Sequence, residues 1–257
     1  DLPVDVRFML PSCVPATPMD ESGANLDYRA IDSFYDYPRV QGLAEMMNSY
    51  GVIHNDAEVV SKIVASQAHH KKIDGHAPGL QGKDLDTYVA AGVYSDHECA
   101  TMEDALAKLQ RGQFIMIREG TAARNLEALA PLLTPQYAER CMFCTDDKHP
   151  SDLLEKGHID YIARRQVRRA LLALLSNAVK FSAPGGTLHL TLTRHGRRAV
   201  IRLSDSGEGM DAEILCSAFH RYARPEVPED SRFGAGFSLP VVQAVIQAHG
   251  GTILLQS

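Results

Sequence analysis

The sequence predicts an α/β protein in two parts: a partial (β/α)8 barrel of about six βα units over residues 1–163, then an α/β sandwich over residues 164–257. Three observations lead there. Short apolar runs alternate with amphipathic helical patterns up to about residue 163, the rhythm of a parallel sheet. Acids and histidines stand where those apolar runs end. From Arg168 onward the pattern changes to a helix, a pair of alternating strands and a further helix, which does not continue a barrel. A chain of 257 residues suffices for two parts, since domains cluster around about 100–150 residues.

The apolar runs read as strands are VRFMLPSC, RVQGLAEMM, KKIDGHAPG, GVYSDHE, QFIMIREG and RCMFCTDD. Between them AEVVSKIVASQAHH, GKDLDTYVAAG, TMEDALAKLQRG and ARNLEALAPLL repeat apolar residues at helical spacing, and PSDLLEKGHIDYIARR follows the last run. In the second part RRALLALLSNAVKFSA is a helix with a wide apolar face. TLHLTLTRHGRRAVIRLSDSG is strand, turn and strand, and GFSLPVVQAVIQAHGGTILLQS is a helix ending at Gly250 with a final strand stopped partway.

With 45% apolar residues the chain can bury a real core, and no run of about 18 apolar residues is available to span a bilayer. Its net charge of −6 argues against a general nucleic-acid binder; the locally basic RRQVRR and RHGRR read as solvated helix and strand ends. Five cysteines without regular spacing point to a reducing compartment, read as the cytoplasm. The start at Asp1 without a leader and the unfinished last strand make both ends look cut.

The strand ends carry the chemistry. Glu45 closes the second run, His76 the third, His97 with Glu98 the fourth, Arg118 with Glu119 the fifth, and Asp146 with Asp147 the sixth. In a barrel these ends converge on one mouth. A lone strand-end histidine is ordinarily a satisfied, partly buried side chain, but four such positions on successive strands are not explained that way. Two imidazoles with several carboxylates make a hydrolytic divalent-metal ligand set, in which the metal lowers the pKa of water toward neutrality. The metal ligands expected are Glu45, His76, His97 and Asp146, with Asp146 also moving the proton from water to a leaving amine. Cys141 and Cys144 of CMFC lack a second ligand pair and read as strand core.

VRFMLPSCVPATP, GLAEMMNSYGVI, DGHAPGLQGKDLDTYVAAG, SDHE, MIREGTAARNLEAL and CTDDKHPSDLLEKGHIDYI together resemble bacterial adenine deaminases of the amidohydrolase superfamily, over residues 3–163. The resemblance implies hydrolysis of adenine to hypoxanthine and ammonia at a binuclear centre of Fe, Mn or Zn. It places Glu45, His76, His97 and Asp146 at metal positions, with Arg118, Glu119 and Glu98 near the substrate. The His-x-His pair that the family carries on its first barrel strand is absent from this sequence. A single-metal site, a barrel lacking two strands and association through its exposed edges are therefore expected.

In the second part DSGEGM sets Asp205 just past a strand, where its carboxylate can accept from an exocyclic amine while Gly207 and Gly209 admit a flat base. RFGAGFSLPVV places Gly234 and Gly236 before a helix, whose free amides and dipole suit phosphate. Asn177 can hold magnesium against those phosphates. In order and separation these segments resemble the N, G1 and G2 boxes of the ATP-binding domain of sensor histidine kinases, over residues 166–257. That likeness makes Asn177 the magnesium residue, puts Lys180 near phosphate, has Asp205 read adenine, and makes Mg-ATP or ADP the ligand. Ala173 and Ser238 depart from the usual Asn and Gly. No phosphoacceptor histidine hairpin precedes the segment, so kinase chemistry would need a separate His-bearing partner.

The two likenesses meet between about Ile162 and Arg168 without a Gly-, Ser- or Pro-rich linker. The sequence thus reads as a composite of two partial modules. One function is expected from each: a deaminase remnant binding metal and adenine, and a nucleotide-binding module. The alternative is an ATP-binding module whose N-terminal barrel fragment is inactive. A third reading is two pieces with no joint function.

Overall fold

A computed structural model describes residues 5–134, 136–219 and 238–257. These divide into two compact units, residues 1–129 with 140–149, and residues 130–139 with 150–257.

The first unit is a succession of parallel strands and helices. Strand β1 (Phe8–Leu10) leads through helix α1 (Tyr28–Asp32) to β2 (Val40–Met46), and helices α2 (Ser49–Ile53) and α3 (Ala57–Ala68) lead to β3 (Lys72–Gly75). Then come α4 (Gly82–Ala90), β4 (Ser95–Asp96), α5 (Met102–Gln110), β5 (Phe114–Arg118), α6 (Leu126–Leu129) and β6 (Cys141–Cys144). Each of the six apolar runs contains one of these strands. Strands β1-β2-β3 form one parallel sheet and β4-β5-β6 another, in chain order. A parallel bridge between Ile73 and Val93 links them.

The helices start where capping dictates. Asp27, Asn48, Asp56 and Thr101 each accept a backbone N–H of the first turn of their helix, satisfying donors that the helix cannot. Apolar side chains of α1 to α4 then pack on the strands, burying Ile31, Val59, Ile63 and Tyr88 against Leu43, Met46 and Ile73. Close sheet pairing needs a glycine at Gly75, where a Cβ would stand 2.2 Å from the carbonyl oxygen of Ser95. The strand ends that carry the polar residues are thereby held near one another.

The second unit is built on two long helices and a hairpin. Helix α7 (Pro150–Glu155) ends at Gly157, whose φ of 101° stops it. The segment PSDLLEKGHIDYIARR, read from sequence as one helical pattern, is therefore two helices, and α8 (Ile159–Phe181) runs unbroken for 23 residues across the place where the likenesses meet. Strands β7 (Leu188–His195) and β8 (Arg198–Asp205) pair antiparallel around a two-residue turn containing Gly196 at φ 60°, the conformation tight hairpins require. Helices α9 (Ala212–Ser217) and α10 (Ser238–Ala248) follow, and α8 packs against both α10 and β8.

One expectation fails in this unit. The segment TILLQS is not a strand: residues 251–257 have no ladder partner among the described residues, and Leu254 is 88% exposed. Extended backbone becomes a strand only when a neighbour takes its N–H and C=O groups. The apolar face of the hairpin is likewise uncovered, with Leu190 53% and Leu192 70% exposed. Among the described residues no helix is long and apolar enough to cross a membrane.

Candidate metal centre and nucleotide-binding segment

Strand geometry alone gathers the first unit's polar residues. Glu45 lies at the end of β2, His76 directly follows β3, His97 and Glu98 follow β4, Arg118 ends β5, and Asp146 stands two residues beyond β6. Parallel strands in chain order bring these ends to one side, as the sequence requires for a shared site.

The ligand atoms converge. His76 Nδ1 and His97 Nε2 each lie 3.2 Å from the same oxygen, Glu45 Oε2, and 3.4 Å from each other. A tetrahedral ion with bonds of about 2.0–2.1 Å separates its ligand atoms by about 3.3–3.4 Å, so this triangle has the dimensions of a tetrahedral face. Two imidazole nitrogens and a carboxylate oxygen are also ordinary zinc-type donors. The residues present fit a divalent ion.

A second set, His97, Glu98 and Asp146, also brings its donor atoms within 4.8 Å of one another. There a cation is already built in. Arg118 grips Glu98 with both terminal nitrogens, Nη2 to Oε2 at 2.9 Å, while its Nη1 also bonds Asp146. The single guanidinium offsets part of the charge of these two carboxylates, while Glu45, His76 and His97 include no Arg or Lys; Glu98 Oε1 also lies 3.5 Å from His76 Nδ1 and 3.6 Å from His97 Nε2. Asp146 holds a left-handed backbone at φ 55°, a conformation that costs energy and clusters at functional sites. Glu119 is buried next to Arg118 and belongs to neither set.

Electrostatics prepare the triangle. Hydrogen bonds from His76 and then His97 hold Glu45 down at about 2, so its negative charge persists across the physiological range. Burial pushes His97 toward neutrality, but its bond to Glu45 and the charges of Asp74, Glu45 and Asp96 outweigh it and raise its pKa. In the metal-free protein, the depressed Glu45 contributes stability that is present above its ordinary 4.5 and lost as the pH falls toward 2. The raised His97 contributes stability that is present below its ordinary 6.5 and lost as the pH rises through its folded value. Thermal unfolding of apoprotein across pH should thus show this pair's contribution greatest between 4.5 and 6.5, and a Glu45→Gln variant should flatten that maximum. An unchanged profile would show that the pair is uncoupled.

Cys141 and Cys144 sit on β6 with thiols pushed up to about 12, by burial for Cys141 and by burial together with the Asp146 charge for Cys144. A metal needs thiolates, so this pair is poorly suited to hold one.

In the second unit Asn177 and Lys180 stand one turn apart near the C-terminus of α8, Asn177 half-buried and Lys180 exposed. Asp205 ends β8 and accepts the Gly207 N–H at 2.9 Å. A Cβ on Gly207 would meet the Phe181 carbonyl oxygen at 2.8 Å, and the Glu208 N–H donates to that same oxygen at 3.3 Å. The acidic turn is therefore fastened beside the end of the helix that carries Asn177 and Lys180, and Gly207 is required by close approach. Gly234 and Gly236 lie outside the described residues.

Sequence reasoning passed over the groups that support the site. Asp74, Asp96, Tyr88, Lys108 and Asn125 are polar groups at or just behind the strand ends. A lysine in line with Ala105 and Leu109 on the apolar face of an amphipathic helix was the available signal.

Fold and site together define an α/β chain with a metal-type ligand triangle in one unit and an acidic Gly turn beside a polar helix end in the other. Comparisons give each a counterpart. Residues 162–257 match the family of histidine kinase-, DNA gyrase B-, and HSP90-like ATPases. The chain is 53% identical over 169 residues to an adenine deaminase of Desulfatibacillum aliphaticivorans, covering 66% of this chain and 30% of that enzyme. It is 42% identical over 218 residues to the adenine deaminase of Brucella abortus, covering 84% of this chain and 37% of the enzyme. The chain thus carries two unrelated likenesses and spans about a third of the length of the curated relatives it matches. An alignment of 218 residues is longer than the stretch preceding residue 162, so the likeness to the Brucella enzyme overlaps the ATPase match.

Proposed function

We propose that the chain joins a divalent-metal centre that takes adenine, set in part of a (β/α)8 barrel, to a module that binds Mg-ATP or ADP, with the junction near residues 163 and 164. The observation that carries the first half is the triangle of Glu45, His76 and His97, whose sides match a tetrahedral ion. A divalent ion there, Fe, Mn or Zn, supplies Lewis acidity. Glu45 contributes the fixed negative charge, and His76 and His97 the neutral nitrogen donors. A complete centre of this kind would use Asp146 to carry the proton from water to the amine that leaves as ammonia, adenine becoming hypoxanthine. Arg118, held by Glu98, and Glu119 lie near the substrate. In the second half Asp205 accepts from the adenine amine, Asn177 holds magnesium, and Lys180 faces phosphate, with Gly207, Gly209, Gly234 and Gly236 shaping the pocket.

Two further parts belong to this reading: a separate His-bearing phosphoacceptor for any kinase step, and self-association through barrel strand edges. A reducing compartment such as the cytoplasm suits five free cysteines.

The alternative, an ATP-binding module with an inactive barrel part, is favoured by one observation. Asp146, the residue needed for proton transfer, is already bonded to Arg118. The two are separated by assaying metal-loaded protein for adenine binding and for ammonia release. The expected result is adenine bound with little or no turnover, since the His-x-His pair is absent from the sequence. Rapid ammonia release that is lost on His76→Ala would establish a working deaminase centre and overturn the expectation of little or no turnover; no adenine binding would leave the alternative.

A further inference from the structure

Behind the ligand triangle, three buried side chains bond to the main chain at the ends of adjacent strands. Tyr88 of α4 is fully buried; its hydroxyl donates to the carbonyl of Met46 at 2.7 Å and accepts the His76 N–H at 3.0 Å. One oxygen therefore spans from the residue after Glu45 to the backbone of His76. Lys108 of α5, fully buried, donates to the Ala77 carbonyl at 2.7 Å and to Asp96 Oδ2 at 2.9 Å. Asp96, equally buried, accepts the Ala77 N–H at 2.8 Å and the Glu98 N–H at 3.0 Å. The residue after His76 and those on both sides of His97 are thus fixed to one buried ion cluster, in which Lys108 also pairs with Asp104 at 3.1 Å. Asn125 accepts the Arg118 N–H at 2.7 Å and donates to the carbonyls of His97 at 3.3 Å and Cys99 at 2.9 Å.

The staples run in order, β2 to β3, β3 to β4 and β4 to β5, and each joins two strand ends that bear site residues. Stability alone is a poor explanation for them. A buried ion pair is costly to desolvate and apolar residues of similar volume commonly replace one without loss, whereas groups that fix the orientation of metal ligands act on affinity directly. We infer that Tyr88, Lys108 and Asn125 are positioning residues of the metal centre, holding the backbone of Glu45, His76 and His97 so that their donor atoms converge. This rests on the metal reading proposed above.

The test is calorimetric titration of the full chain with Zn²⁺ in a competing chelator, well below the unfolding temperature. Tyr88→Phe removes a single oxygen and should keep cooperative unfolding while its Zn²⁺ affinity falls about 10–100-fold, as for outer-shell partners generally. Lys108→Met should lower Zn²⁺ affinity similarly but also stability, because it leaves the buried Asp96 and Asp104 carboxylates uncompensated, so Tyr88→Phe decides. Leu85→Ala on the same helix, a fully buried apolar residue, supplies the contrast: it should lower the unfolding temperature yet leave Zn²⁺ affinity within about twofold. Wild-type affinity in Tyr88→Phe, or an equal loss in Leu85→Ala, would overturn the inference while leaving the metal reading intact. No Zn²⁺ binding by the unsubstituted chain would overturn the metal reading, and this inference with it.

Discussion

Replacing His97 by alanine should lower divalent-metal affinity by more than about 100-fold, because losing even an outer-shell partner costs about 10–100-fold. His97 is the residue shared by both sets of converging donors, and its side chain is 9% exposed. Without it, Glu45 and His76 remain as a two-point site, and Arg118 still engages Glu98 and Asp146. Water can enter the space left behind, but it replaces an imidazole nitrogen with a weaker donor that the fold does not hold in place. Metal titration of the purified variant reads the loss. Retained affinity would place the ion elsewhere, with the Glu98 and Asp146 carboxylates the first positions to examine.

Substituting Asp205 by asparagine should weaken Mg·ADP binding about 10-fold or more, since a charge-assisted hydrogen bond contributes about 1.5–3 kcal/mol. The side chain keeps its shape, and its carbonyl oxygen can still accept the Gly207 N–H that the carboxylate accepts at 2.9 Å. What disappears is the negative charge that, in the proposed reading, faces an exocyclic amine. Because Asp205 is solvent-exposed in the free chain, the effect should appear in affinity and leave the unfolding temperature nearly unchanged. Calorimetry of the two proteins against Mg·ADP measures it. Equal affinities would show that the acidic turn is not where the base is read.

The strands were legible because fully or half-buried strands must be written in apolar residues. Even β4, two residues long, was marked by the acid and histidine that follow it. The strand-end positions proposed for the site were legible for a related reason: they stand where apolar runs stop, and parallel strands put all such stops on one side. Other features were hidden. The short helices α1 and α2 are too brief to show a period and are fixed by the caps Asp27 and Asn48. Lys108 was marked only by its place on the apolar face of α5, while Tyr88 and Asn125 lie on a helix or at a helix start, where a polar residue facing the core cannot be told from one facing solvent until its strand-end partners are known. In the second unit the final strand failed because a strand's identity depends on its neighbour as well as its own residues, and alternation in β7 did not reveal that its apolar face is uncovered.

X-ray absorption at the zinc edge of the zinc-loaded chain reads the ligand set itself. The expected spectrum shows nitrogen and oxygen donors at about 2.0–2.2 Å with the scattering of two imidazoles, one of which is lost in His97→Ala. A sulfur shell at about 2.3 Å, which only cysteines such as Cys141 and Cys144 could supply, or a spectrum without imidazole, would contradict it.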